Sequence, residues 1–147
     1  MKGPVRVGSP VSTEMTAALP KRKSEPTRLA EVNGALEDAY FAYDRAEPSD
    51  EAIAALRRDA ALLNAILIEF PGLKVTIEGH CDERGSAQYN LGLGERRARR
   101  AEAVLGDFGV PASALEVVSY GKEAPKCTEA DEACYRKNRR AHMAVRR

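Results

Sequence analysis

The strongest constraint on the fold is an alternation between helix periodicity and strand periodicity along the chain. Residues 51–70 carry apolar side chains at positions 53, 56, 60, 63, 67 and 70, the spacing of one helix face. Pro71 and Gly72 end that helix, and Ser49 or Asp50 is expected to cap its start. Residues 73–79 then alternate apolar and polar side chains, as a half-buried strand does.

The rest of the chain continues the same alternation. Strands are predicted over residues 39–44, 113–121 and 139–147, and a second long helix from about residue 91 or 95 to residue 108. The segment "EADEACYRKN" favours a short helix or turn. The order β-α-β-α-β-(α)-β predicts an α+β two-layer sandwich, in which one mixed four-stranded sheet has helices packed on one face.

The length of 147 residues suits one domain and a tail. Residues 1–26 are rich in Pro, Ser, Thr and basic residues without any period, so we predict a disordered tail or tether there. Residues 27–147 form the predicted domain, which opens on a short amphipathic lead-in that is helical in part. The first 15 residues contain no apolar signal-peptide core and no lipid-acceptor cysteine, so the sequence leaves cytoplasm and export both open.

Three cysteines are present. No two of them form a CxxC pair, which argues against a zinc ribbon. Cys127 and Cys134 share one short polar segment, where a disulfide is feasible in an oxidising compartment and would stabilise the fold by roughly 2–3 kcal/mol. The alternative is two unrelated thiols. Cys81 is expected to be a small buried apolar residue.

The stretch "TIEGHCDERGSAQYNLGLGERRARR" concentrates chemically active side chains. A metal site is disfavoured because consecutive residues at a strand end, here His80 to Glu83, point to alternating sides. An enzyme is disfavoured because the adjacent carboxylates of Asp82 and Glu83 diverge and no GxSxG motif is present. Nucleic acid is disfavoured because net charge is +1, aromatics make up 5% and acidic residues interrupt the arginine-rich helix.

A fourth interpretation, a pocket for a zwitterion, comes from the position of one arginine among four. Stepping back from Phe108 along the apolar stripe of the second helix reaches Arg97, whereas Arg96, Arg99 and Arg100 lie on other faces. A buried guanidinium needs an anionic partner, and Asp82 ends the neighbouring strand. The two are either a structural ion pair or are held apart by the loop at Gly85 to receive an ammonium and a carboxylate.

Several motifs in the same order resemble the OmpA C-terminal-like domain family. They cover the chain from about residue 37 to the C-terminus, and "DERG" and "SYGKE" resemble the family's lipoprotein branch rather than a porin's periplasmic domain. The matching segments are "YFAYD" at 40–44, "GHCD" at 79–82, "NLGLGERRA" at 90–98, "VVSYGKEAP" at 117–125 and "KNRRAHMAV" at 137–145.

The resemblance implies non-covalent binding of peptidoglycan through the diaminopimelate of its stem peptide. By position in the family's motifs, Asp82 would hold the ligand's ammonium and Arg97 its carboxylate. Tyr43, Asp44 and Leu93, the last in a turn, would help to wall the pocket. Asn90 and Gly85 are expected to order the loop, and Asn138 and Arg139 the last strand. No catalytic residue, cofactor or metal is implied.

The resemblance also implies a place in the cell and partners. We expect a periplasmic, outer-membrane-associated protein that links the outer membrane to the cell wall through a lipid anchor not visible in this chain, with TolB as a further partner. The alternative is a periplasmic protein–protein interaction module of the TolB-binding type without direct wall contact. Cys81 and Ala42 depart from the family's usual residues, and the pair Cys127 and Cys134 fits an exported protein.

Overall fold

The computed structural model describes residues 22–147, and within them four helices and four strands alternate. They are α1 (Glu25–Ala35), β1 (Ala39–Tyr40), α2 (Asp50–Glu69), β2 (Lys74–His80), α3 (Ala87–Asp107), β3 (Leu115–Gly121), α4 (Glu132–Asn138) and β4 (Arg140–Arg146). A single 3-10 turn, Ala112–Ala114, precedes β3. The predicted α+β order is confirmed, with one helix added ahead of β1.

The four strands form one mixed sheet, as predicted, and their order in it is β1-β4-β2-β3. β2 and β3 run parallel and are joined by α3, whereas β4 is antiparallel to both β1 and β2. Val75 and Ile77 of β2 point into the core, while Lys74, Thr76 and Glu78 are half-buried on the opposite side. The helices therefore pack on one face of the sheet, and the buried stripes of α2 and α3 close a single core.

The starts of the long helices are set by serine caps. Ser49 accepts a hydrogen bond from the backbone N–H of Ala52 at 3.1 Å, so α2 begins where the sequence places it. The prediction for α3 was wrong by at least four residues, because Ser86 caps the helix through the N–H of Tyr89 at 3.0 Å. Leu93 consequently lies in the helix and not in a turn. Glycines 92 and 94 weaken helix propensity in that region and obscured the true start.

β1 is shorter than the strand predicted over residues 39–44. Only Ala39 and Tyr40 pair with β4, and the N–H of Phe41 adds one bond to the carbonyl of Arg139 at 2.9 Å. The chain then turns, and Asp44 adopts a left-handed backbone with φ of 54°. This turn reaches the end of β2, where the candidate site lies.

Helix α1 packs on β4, beyond the two residues that pair with β1. Asn33 pairs with the backbone of Val145 through two hydrogen bonds, at 2.9 Å and 2.8 Å, and so occupies the strand edge that β1 leaves free. Ser24 caps the helix, which begins at Glu25, inside the last residues of the predicted tether. Residues 1–21 of that tether lie outside the described residues.

The Cys127–Cys134 disulfide is present, with Cα atoms 5.4 Å apart, as predicted. Cys81 is free and buried, also as predicted. In residues 22–147 no helix combines the length and apolarity needed to cross a membrane.

Candidate functional site

A close contact between α3 and β2 creates the candidate site. A Cβ atom added at Gly79 would lie 1.7 Å from the carbonyl oxygen of Gly94, so backbone touches backbone and no side chain fits between them. Arg97 follows Gly94 by almost one helical turn. Its side chain is thereby brought beside His80, the last residue of β2.

Arg97 is a buried cation held by backbone carbonyls. It is 1% exposed and donates to the carbonyls of Arg45 at 2.8 Å, His80 at 3.0 Å and Ala42 at 3.1 Å. The Ala42 contact uses the main chain, so this hydrogen bond does not depend on the side chain at that position. Burial lowers the pKa of Arg97 from its ordinary value. None of the ion pairs among the described residues includes Arg97, and two of its five N–H groups remain after these three bonds.

Asp82 is nearly as buried, at 4% exposed, but is surrounded by cationic donors. Arg84 donates to it through its backbone N–H at 3.1 Å, its Nε at 3.1 Å and its Nη2 at 2.6 Å, and Arg139 approaches at 3.5 Å. Burial acts to raise the pKa of Asp82, but the hydrogen bonds and charge of Arg84, aided by Arg139, outweigh it and hold that pKa below its usual range.

The described residues show no hydrogen bond or ion pair between Asp82 and Arg97. The interpretation as a plain structural pair is therefore wrong, and the two charges stand apart. Both line one open cleft. Its lining includes the five residues predicted to contact the ligand and the two predicted to order the loop; the full set is Tyr43, Asp44, Cys81, Asp82, Arg84, Gly85, Tyr89, Asn90, Leu93 and Arg97.

Asn90 ties the loop between β2 and α3 to the helix. Its side-chain amide donates to the backbone carbonyls of Arg84 at 2.7 Å and Ser86 at 3.0 Å. Its backbone carbonyl accepts a hydrogen bond from the thiol of Cys81 at 3.2 Å. Gly85 has φ of 92°, a backbone conformation that a residue with a Cβ rarely adopts. These contacts shape the floor of the cleft.

The opposite wall of the cleft comes from the turn after β1. Asp44 accepts a hydrogen bond from the hydroxyl of Tyr89 on α3, which links the turn to the helix. Asp44 also holds the left-handed backbone noted above, and such strain often lies at functional sites. The cleft thus carries two carboxylates, Asp44 and Asp82, and two guanidinium groups, Arg84 and Arg97.

Asn138 and Arg139, expected to order the last strand, contact the disulfide loop and the region of the cleft. Asn138 binds the disulfide loop through the N–H groups of Lys126 at 2.8 Å and Cys127 at 3.1 Å. Arg139, 4% exposed, donates to the carbonyl of Phe41 at 2.9 Å and to Glu132 at 2.9 Å, besides approaching Asp82. Arg139 therefore supports the cleft from behind.

Arg84 and Tyr89 are the cleft residues that sequence reasoning missed, and Arg84 is the charged one. Its guanidinium lies between the rings of Tyr43, 4.1 Å away, and Tyr135, 4.4 Å away. The sequence signal was a basic residue two positions after an inward-facing Asp82, in a glycine loop that turns back on itself. No periodicity applies to such a loop, and its aromatic partners are distant in sequence.

The other side chains of the stretch are structural or lie on the surface. His80 is 2% exposed, bonds to Glu78 at 3.0 Å and stacks on Tyr120. Over residues 22–147, no group of three or more His, Cys, Asp and Glu side chains is arranged to hold a metal ion. The other three arginines of the helix, Arg96, Arg99 and Arg100, are exposed.

Comparison with known proteins agrees with this fold. The sequence profile of the OmpA family matches residues 40–139, which is more than half of the chain. The chain therefore belongs to the OmpA family.

Within that family, the similar curated proteins are peptidoglycan-associated lipoproteins. The one from Haemophilus influenzae is 41% identical over 116 residues, which is 79% of this chain and 73% of that protein. Those from Pasteurella multocida and Pseudomonas aeruginosa are 44% and 43% identical over 71% of this chain, and the match spans 67% and 59% of those proteins. The expected likeness to the lipoprotein branch is confirmed.

Solved structures agree. The peptidoglycan-associated lipoprotein from Burkholderia pseudomallei superimposes with a TM-score of 0.69 at 35% identity, covering 78% of this chain and 93% of that one. The C-terminal domain of Helicobacter pylori MotB reaches a TM-score of 0.67 at 19% identity, covering 76% and 84% of the two chains. The second likeness shows a shared fold only.

Proposed function

We propose that this chain binds peptidoglycan non-covalently by holding the free amino-acid end of diaminopimelate in the cleft. That end carries an ammonium and a carboxylate on one carbon. The observation that carries the proposal is Arg97, a buried cation with two unused N–H groups and no carboxylate partner. It lines the same cleft as the ionised Asp82. A ligand carboxylate would supply the missing anion.

Energetics favour a modest affinity for each site. A hydrogen bond to a charged group contributes roughly 1.5–3 kcal/mol, and the costs of ordering ligand and protein reduce the sum. Many wall sites and a tether at the N-terminus would convert modest affinity into firm attachment. The OmpA family is not a family of enzymes, and no release of wall fragments is expected.

The test uses conservative variants, because Arg97 also holds three backbone carbonyls and its removal would disturb the fold. Arg97→Lys keeps a charge but loses the planar fork, and Asp82→Asn keeps the shape but loses the charge. Each should reduce co-sedimentation with purified peptidoglycan at least tenfold. Arg99→Lys and Asp107→Asn change exposed residues in the same way and serve as matched controls.

The following measurements distinguish a loss of binding from a loss of the fold, and binding from hydrolysis. Circular dichroism and thermal unfolding of each variant establish that the fold is intact. If folded Arg97→Lys and Asp82→Asn both sediment like the wild type, this cleft is not the peptidoglycan site. Soluble muropeptides released on incubation would contradict a binding role alone.

We further propose a role as a component of the Tol–Pal system in the periplasm, joined to the outer membrane through a lipid anchor ahead of the domain and able to bind TolB. The supporting feature is the rim of the cleft, where Tyr43 is 57% and Tyr89 is 47% exposed, since exposed aromatic side chains are enriched at protein interfaces. A stem peptide added in solution should displace TolB if the two use this rim. Independent binding of both would contradict a shared face.

A further inference from the structure

The cation bound to Asp82 in this structure is a side chain of the protein itself, that of Arg84. The Arg84 guanidinium contacts both carboxylate oxygens of Asp82, at 3.1 Å and 2.6 Å. Such a two-point contact is the geometry in which arginine binds a carboxylate most firmly. A ligand ammonium that is to meet Asp82 must therefore share or displace these bonds.

Two segments distant in sequence, the turn after β1 and helix α4, hold Arg84 in this position. Tyr43 of the turn after β1 covers one face of the guanidinium, and Tyr135 of α4 covers the other, at 4.1 Å and 4.4 Å. Glu132, also on α4, lies 3.9 Å from Nη2. The hydroxyl of Tyr135 donates to Glu83 at 3.0 Å, which fixes the ring over the loop.

Arg84 is nevertheless partly exposed to solvent. Its side chain is 35% exposed, compared with 5% for those of Asp82 and Arg139. It arises from a loop beside Gly85 rather than from a helix or strand. Because the guanidinium lies partly in solvent, water can replace the hydrogen bonds that Arg84 gives up when an incoming cation takes its place.

We infer that Arg84 is a built-in competitor for the ammonium subsite: it caps Asp82 in the empty protein and swings out when the ligand's ammonium enters. This inference rests on the proposed function of the cleft. Only proteins with Arg84 displaced accept the ammonium, so the measured affinity is the intrinsic affinity multiplied by the displaced fraction. Arg84 therefore tunes how readily the domain releases the wall.

Arg139 provides a second cation beside Asp82. It stays beside Asp82 at 3.5 Å and is anchored by Phe41 and Glu132, so it continues to stabilise the ionised carboxylate after Arg84 leaves. Removing Arg84 should thus vacate the subsite without neutralising it. Loss of Arg139 would have a different effect, because that side chain is buried and structural.

The experiment is calorimetric titration with the tripeptide L-Ala-γ-D-Glu-diaminopimelate, and with the same tripeptide acetylated on its free diaminopimelate amine. Arg84→Ala should bind the free-amine peptide about twofold to fivefold more tightly than the wild type, the range of one partly exposed ion pair. The gain should be absent with the acetylated peptide, which brings no ammonium to Asp82. Tyr135→Leu, which removes one ring from Arg84, should give a smaller gain with the same dependence on the amine.

Arg99→Ala is the matched control, because it removes an equal charge from an exposed residue whose ion partner is Glu102. If it tightens binding as much as Arg84→Ala does, bulk charge is responsible and the inference fails. Unchanged or weaker binding by Arg84→Ala also overturns it. If the wild type fails to bind, or if Asp82→Asn and Arg97→Lys bind normally, the proposed function fails and the inference fails with it.

Discussion

Asp59 provides the clearest quantitative prediction about stability. This carboxyl on α2 is 0% exposed. One oxygen accepts the backbone N–H of Glu37 at 2.8 Å, while the other has no partner within the described residues. Burial, reinforced by the charges of Glu37 and Asp38 and opposed by Arg58, raises the pKa of Asp59 from 3.8 to about 7.

The sign of the effect follows from the bound proton. Between pH 3.8 and about 7 the folded protein keeps the proton of Asp59 and the unfolded chain has lost it, so the free energy of unfolding falls as pH rises. The pKa difference is about 3 units at 1.36 kcal/mol each, which makes the total loss about 4 kcal/mol. That is a large part of the 5–15 kcal/mol typical of a domain.

The assay is urea unfolding of the wild type and Asp59→Asn from pH 4.5 to pH 8.5. Asparagine mimics the protonated carboxyl, so the two proteins should have similar stability at the acid end. The variant should be more stable by about 4 kcal/mol at the alkaline end. Asp107→Asn, at an exposed position, should show no such divergence.

Other titrating groups do not obscure the comparison. The hydrogen bond and charge of Asp38 raise the pKa of His142, so the stability that it adds is lost as pH rises. Burial lowers the pKa of His80 despite its bond to Glu78, so the stability that depends on its neutral form is lost as pH falls. Both histidines are common to the two proteins and cancel in the difference. If the difference in unfolding free energy between the wild type and Asp59→Asn stays constant from pH 4.5 to pH 8.5, the reasoning is refuted.

Two further predictions concern the packing and the crosslink. Gly79→Ala should destabilise the domain by about 3 kcal/mol or more, because its methyl group meets backbone of the facing helix; Gly34→Ala, with open space around it, should be neutral or slightly stabilising in the same urea assay. Thiol titration of the unreduced, denatured protein should find one free thiol, that of Cys81, since Cys127 and Cys134 are bonded; three would contradict the bridge. Replacing both bridged cysteines by serine should cost about 2–3 kcal/mol.

Local signals predicted the regular parts of the fold well. The cap at Ser49 and the stop at Pro71 define α2 in both sequence and structure, because capping and proline effects act over a few residues. α3 was predicted to start late since glycines within it dilute the apolar period. The start of α1 also carried a local signal that was passed over, a serine cap followed by Pro26 in the first turn.

The cleft, too, was predictable from the sequence only in part. Helical period alone placed Arg97 inward, and its burial follows from that position. The position of Arg84 against Asp82 could not be read from spacing, because the rings that hold it come from residues 41 positions before and 51 positions after it. Whether Asp82 pairs with Arg97 or stands apart also depends on tertiary structure, because backbone carbonyls from distant segments accept the hydrogen bonds of the guanidinium.

The sequence by itself determined the order of elements, the mixed sheet, the family, the feasibility of the disulfide and the one inward arginine. Each of these depends on periods, caps or motifs that are local, every one within about twenty contiguous residues, and on their order along the chain. Only the tertiary structure decided the ion pairing in the cleft, the short β1, the use of Asn33 to close the edge of β4 and the unpartnered oxygen of Asp59. These depend on distances between segments far apart in the chain, which backbone contacts such as that of Gly79 with Gly94 set only once the core is packed.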